Sequence, residues 1–289
     1  MKIKLSSWFS STSEKHLEAE ELRIQITPQQ IDFVTVCQKH NTLRYEASYL
    51  YKQPLEEFLK QHITPLQEDR PFKDIICISN TTKYSLIPSE LIHTNTNFQK
   101  YLEMTCVVQD NESTLYQRLE KHHITQIYSE RKELLTCLEN YFGHLEIQSL
   151  QGLWLTDILD QNRKEKIASK KNTTPPLTKL YIYAHQDCID ICIVHNYQLQ
   201  LLNKFKIHTP NDILYYSLYT IQQLGYDLKQ TELIWYGKRK LASKTMELIK
   251  LYVKKTSLLE KPKALKIIAQ KALSTQENPI LFTKKLPIL

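Results

Sequence analysis

The sequence predicts an α/β protein built from two β-β-β-α-β lobes in tandem, with insertions between them. Three observations carry that expectation. Alternating apolar runs, then one helical stripe, then one buried run occur twice in the same order. Landmarks in the two halves keep a nearly constant spacing: His40-Asn41 with His195-Asn196, Pro54 with Pro210, and Ile75 with Leu233, which are 155, 156 and 158 residues apart. Pro175-Pro176 stands between the halves, behind a lysine-rich stretch.

In the first half, Leu22, Ile24 and Ile26 alternate, and Ile31, Phe33 and Val34 to Val36 follow the turn Thr27-Pro28-Gln29-Gln30. A third run spans Leu43 to Tyr51, so three successive antiparallel strands are expected. Pro54 opens a helix whose apolar positions Leu55, Phe58, Leu59 and Ile63 share one face, and Asp74 to Ser79 is a buried strand. The insertion continues with a strand and short helical turn over 83–92 and two strands at 115–120 and 124–128. A helix capped by Ser129 and stopped by Gly143 follows, then a strand at 144–150. A further helix starts near Leu153 and runs into the lysine-rich stretch.

The second half repeats the order. Leu180 to Tyr183 is a strand, His185-Gln186-Asp187 a turn, Cys188 to Val194 a second strand and Tyr197 to Lys206 a third. Thr209, Pro210 and Asp212 form a helix start of the capping-box type, and Gly225 stops that helix. Its apolar stripe includes Ile213, Leu214, Leu218, Ile221 and Leu224, and Tyr215 and Tyr219 are assigned to the core as well. Glu232 to Tyr236 is the second buried strand, and a helix that includes Leu241, Leu248 and Leu251 follows. A β-β-β-α-β unit occurring twice is the core of the ribonuclease-H-like, actin-like ATPase architecture. The expected organisation is an N-terminal extension (1–21), a first lobe with its insertion (22–159), a basic linker (160–177) and a second lobe with a basic C-terminal segment (178–289).

Composition narrows the function. Only four of 289 residues are glycine, where ordinary usage would give about 20. Phosphate-cradling loops need glycine for positive φ and close approach, and neither GxxxxGK[ST] nor GxGxxG occurs. The sequence therefore argues against a P-loop enzyme, a protein kinase and a Rossmann oxidoreductase. The six cysteines show no CxxC and no metal-ligand spacing, and Cys188 and Cys192 read as buried thiols on one strand face. Reduced thiols, the missing apolar core of a signal peptide and the missing 20-residue apolar span give a cytoplasmic expectation with no membrane span.

The net charge of +7 is concentrated. Residues 160–176 carry +3 and residues 254–289 carry +6, which leaves the rest of the chain at −2. The tail could meet phosphate, but it lacks the interleaved aromatics of a base-stacking surface.

KYSLIPSELI at 83–92, NKFKIHTPNDILYYSLYTIQQLGYD at 203–227 and ELIWYG at 232–237 resemble a family of uncharacterised proteins found chiefly in Bacteroidetes, whose fold is actin-like. The resemblance spans roughly 22–253 and implies the fold, not an activity. More distantly, the architecture is similar to actin-like proteins of type IV pilus assembly and bacterial cell division, to sugar kinases and to chaperone ATPases.

Catalytic members of that architecture hold ATP–Mg²⁺ with two D-x-G-[TS] hairpins and a Gly-Gly turn against adenosine. The residues at the matching places here are Thr27, Gln29 and Gln30 in the first hairpin, His185, Gln186 and Asp187 in the second, and Gly237 with Lys238 at the adenosine turn. The first hairpin has neither Asp nor Gly, and Pro28 removes a backbone donor. The second keeps one carboxylate without a glycine. No catalytic residue and no metal ligand is assigned, and His122-His123 reads as a solvated turn. The motifs support no cofactor, and ATP with Mg²⁺ remains only as the ligand that the architecture implies.

The expected function is a non-catalytic actin-like-fold protein that binds another protein, the 17 tyrosines suiting an interface. Two alternatives stay open. One is a divergent ATP-binding ATPase or phosphotransferase, and the other is a nucleic-acid-associated protein using its basic tail.

Overall fold

A computed structural model describes residues 20–27, 30–37, 42–50, 54–64, 72–93, 95–169, 177–185, 187–237, 245–258 and 266–267. The chain divides into two compact units, one holding the described residues up to Leu153 with 266–267, the other those from Trp154 to Leu258.

The first unit opens with β1 (Glu20–Ile26), β2 (Gln30–Cys37) and β3 (Thr42–Leu50), then α1 (Leu55–His62) and β4 (Asp74–Ser79). β1 and β2 form a hairpin in which Ile26 faces Ile31. β4 returns parallel to β1, with Leu22 opposite Ile75 and Ile26 opposite Ser79. Alternation then decides the layers. Leu22, Ile24, Ile26, Ile31, Phe33 and Cys77 form a core with Phe58 and Leu59 of α1 and with Leu134 and Leu138 of a later helix. On β1 the intervening residues Glu21, Arg23 and Gln25 are buried too, and Arg23 Nε donates to the Glu21 carboxylate.

The insertion supplies β5 (Tyr84–Pro88), α2 (Phe98–Glu103), β6 (Glu112–Leu119), β7 (Ile124–Arg131), α3 (Lys132–Phe142) and β8 (Glu146–Ser149). β5, β7 and β6 make a separate three-stranded sheet, while β8 joins the main sheet beside β4. α2 was not anticipated, since its single turn and a half buries only Leu102. The cap assigned to Ser129 is corrected. β7 runs on to Arg131, α3 has Arg131 at its N-cap with no side-chain cap, and the Ser129 carbonyl accepts from Thr81 Oγ1. Ser129, Glu130 and Arg131 pair with Thr114, Ser113 and Glu112 of β6, which continues the strand past the point where Ser129 could cap a helix. α3 ends at Gly143 as expected.

α4 (Leu150–Ser169) follows directly on β8 and contains the division between the units. The second unit then has β9 (Thr178–Ala184), β10 (Cys188–His195), β11 (Gln198–Lys206), α5 (Pro210–Gln223), β12 (Thr231–Gly237) and β13 (Lys255–Leu258). Residues 245–249 are helical, and β14 (Lys266–Ile267) adds to β3 in the first unit's sheet. The capping box on α5 is formed, with both Thr209 and Asp212 making their reciprocal bonds. Two backbone N–H groups, of His208 and Thr209, hold the Asp212 carboxyl below its ordinary range.

The two sheets share one register. Ile26–Ile31 recurs as Ala184–Ile189 and Leu22–Ile75 as Leu180–Leu233, each pair displaced by 158 residues. The bulge between Thr35 and Val36 recurs between Ile193 and Val194, again 158 residues on. In both units the fourth strand continues into a parallel fifth, β8 or β13. The ribonuclease-H-like, actin-like order 3-2-1-4-5 is thus present twice.

The core assignment of Tyr215 and Tyr219 is overturned. They are 59% and 43% exposed and stack on each other with ring centroids 5.6 Å apart. α5 turns Ile213, Ser217, Thr220 and Ile221 inward instead, which leaves the tyrosines on the opposite side.

Candidate functional site

Strand ends in open α/β sheets are where ligands collect, so the turns after β1 and β9 are the places to look. The second unit has the more fully described turn. β9 leaves the sheet at Ala184, and β10 begins at Cys188. His185 N–H donates to the Cys188 carbonyl at 2.9 Å, and Ile207 N–H donates to the Asp187 carbonyl at 2.9 Å. Asp187 is exposed, while Gln186 lies outside the described residues.

Beneath this turn is a buried polar cluster. Asp190 on β10 is fully buried, its Oδ2 lying 2.6 Å from His185 Nε2 and 3.7 Å from Lys204 Nζ on β11. The strands bring them together: Asp190 pairs with Lys204 on one side and Tyr183 on the other, and Tyr183 pairs with Tyr236. The Tyr183 and His185 rings are 4.6 Å apart. Burial pushes the His185 imidazole below its ordinary pKa, while the hydrogen bond and charge of Asp190 pull it back up. The neighbouring Cys188 thiol is pushed up to about 12, mainly by burial, so it behaves as an inert thiol.

Gly237 ends β12 opposite Ala184 with φ of 83°. A Cβ there would overlap the Ala184 carbonyl oxygen and touch the Tyr183 ring. The side of Gly237 where a Cβ would stand is therefore filled by an acceptor and an aromatic ring. Lys238 lies outside the described residues.

In the first unit, Thr27 follows β1 and is half buried, Gln29 lies outside the described residues, and Gln30 begins β2. Ser79 occupies the place that Gly237 has in the second unit, and its hydroxyl donates to the Glu130 carboxylate. Beside it the first turn of α4 is tied down. Ser149 N–H donates to Gln117 Oε1 at 2.9 Å, and Gln151 Nε2 donates to Asn80 Oδ1 at 3.1 Å. Gly152 packs so closely here that a Cβ would lie 2.5 Å from Gln126 Oε1 and 2.8 Å from Gln117 Oε1. Gln126 itself is fully buried.

The structure thus brings His185 together with Asp190 and Lys204, two residues the sequence reading did not single out. Asp190 could have been noticed, as the one charge inside the apolar run Cys188 to Val194. Gly152, one of only four glycines, was the signal for the amide cluster. Among the described residues no group of three or more His, Cys, Asp and Glu side chains could hold a metal ion, and no helix is long and apolar enough to cross a membrane.

The fold is of the actin-like ATPase type. A Bacteroides thetaiotaomicron protein with actin-like ATPase fold and unknown function is 19% identical, with a TM-score of 0.68 over 84% of this chain and 91% of that one. The PilM–PilN type IV pilus biogenesis complex contains a similar chain at 12% identity and a TM-score of 0.53, over 91% of this chain and 94% of that one. No curated protein matches. The chain belongs to the family described as protein of unknown function DUF3822, which it matches over residues 10–256.

Proposed function

We propose that this chain is a non-catalytic member of the actin-like class that acts by binding another protein. The reading rests chiefly on Gly237 and Ser79, the equivalent residues at the two strand ends. One is closed by the Ala184 carbonyl, and the other is bonded to the Glu130 carboxylate. Acceptors and a negative charge at these places do not suit a phosphate, which needs donors and cations around it. We therefore read the described residues at the two strand ends as a poor fit for the phosphates of ATP. Protein binding draws support from the PilM–PilN likeness, a chain of this fold that is part of a protein complex.

The test is thermal melting of the purified chain with and without Mg-ATP. A ligand present at 100 times its Kd would stabilise by about 2.7 kcal/mol. No shift at millimolar Mg-ATP is expected, and the same partner should co-purify from the native cell whether or not ATP is added. A nucleotide-dependent shift that Asp187→Ala removes would sink the proposal in favour of a divergent ATP-binding protein, since Asp187 is the one exposed carboxylate at the turn.

A further inference from the structure

We propose that the outer edge of β6 pairs, antiparallel and about a two-fold axis, with β6 of a second copy of this chain. β6 pairs with β7 over all eight of its residues without a register shift, and among the described residues the order β5-β7-β6 gives it no strand on its other side. Such an edge carries a row of backbone donors and acceptors open to another strand, except at Glu112, whose N–H donates to the Gln109 carbonyl at 3.0 Å.

Comparison with the other edges makes β6 stand out. Proteins blunt exposed edges with short strands, proline, lysine or bulges. β5 has five residues and ends in Pro88. β8 and β13 have four residues each, and β13 begins with Lys255. β11 carries the bulge together with the exposed Lys206. β6, Glu-Ser-Thr-Leu-Tyr-Gln-Arg-Leu, has eight residues and none of these devices.

Its side chains also fit a copy of themselves. Antiparallel pairing centred on Leu115 puts Glu112 opposite Arg118 of the second copy, and does so twice by symmetry. Lys83 already holds the Glu112 carboxylate at 2.7 and 2.8 Å, so the arriving guanidinium completes a small charge network. Thr114 would face Tyr116 of the second copy, with the two Tyr116 rings on the diagonal, a distance aromatic side chains can span. Tyr116 is 50% exposed and stacks on Phe98 at 4.3 Å, so its ring is already held for such a contact. A slide of the register that places Arg118 opposite Arg118 is disfavoured by like charge. The result would be a continuous six-stranded sheet, β5-β7-β6-β6-β7-β5. This interface is independent of the nucleotide question.

Sedimentation equilibrium of the full chain, from micromolar to submillimolar concentration, is expected to show a reversible dimer. Arg118→Glu, at an exposed position, and Tyr116→Lys, which places a lysine on the edge, should each weaken it by about tenfold. If Tyr116→Lys fails to fold, Arg118→Glu still decides. Mild oxidation should link Leu115→Cys into a disulfide dimer, because the two copies of residue 115 face each other, while Arg118→Cys should stay unlinked. A monomer at every concentration, a dimer indifferent to both charge variants, or equal linking at 115 and 118 would overturn the proposal.

Discussion

His185 Nε2 and Asp190 Oδ2 are 2.6 Å apart across the turn that joins β9 to β10, with the Asp190 carboxylate fully buried. Lys204 reaches the same oxygen from the far strand at 3.7 Å. Removing one member of a buried charged set leaves the others without compensation. Asp190→Ala should therefore cost about 3–5 kcal/mol in urea denaturation. Asp190→Asn keeps an acceptor for His185 and should lose less.

The same cluster makes stability depend on pH. Burial disfavours the charged imidazole of His185 in the folded chain, which lowers its pKa below the ordinary 6.5. Below 6.5 the unfolded chain takes up a proton that the folded chain refuses, and stability falls as pH drops from there toward the folded pKa. Above 6.5 this contribution is constant. Melts of wild type and His185→Gln at pH 7.5, 6.5 and 5.5 should diverge only in the acid range, with the variant flatter.

Gly237 should resist substitution for reasons unconnected with a ligand. Gly237→Ala combines positive φ, worth about 1–2 kcal/mol, with overlap on the Ala184 carbonyl. A melting temperature lowered by several degrees is expected, with no change in response to Mg-ATP.

Gly152→Ala sets helix propensity against packing. Alanine gains up to about 1 kcal/mol within a helix, but the new Cβ would lie 2.5 Å from Gln126 Oε1 in a buried site. Packing should win, giving net destabilisation of about 1–3 kcal/mol. Repeating the substitution in a Gln126→Ala background should recover part of the loss, since the Gln117 Oε1 overlap at 2.8 Å remains, and the double-mutant cycle measures how much.

Tyr215→Ala and Tyr219→Ala should each change stability by no more than about 0.5 kcal/mol, as expected of exposed side chains. A large loss by denaturant titration would place them back in the core.

The backbone plan was legible because each signal was local. Alternation gave β1, β2, β9 and β10, and the Thr209–Asp212 box gave the start of α5. What escaped depended on neighbours distant in sequence. Asp190, Glu21 and Arg23 look like solvent-facing positions on their strands, yet both faces of these strands are buried, so polar residues sit inside. Tyr215 and Tyr219 follow helical spacing as well as Ile213 and Ile221 do, and only the sheet beneath α5 decides which set turns inward. The candidate site was half visible for the same reason. His185 and Gly237 were found as turn residues, but Lys204 and Ser79 reach those places through pairing that no local pattern encodes.

The shared register also bears on how the chain reaches its native state. In the second sheet the parallel contact from Trp235 to Leu258 closes across 23 residues, whereas the equivalent contact in the first, Cys77 to Ile147, spans 70 because the insertion lies between. The longer closure costs about 1 kcal/mol more in chain entropy, and such costs must be met before the contacts form. With the same strand order in both halves, β12 should acquire amide protection ahead of β4 in pulse-labelled refolding. One architecture would then assemble at two speeds within a single polypeptide.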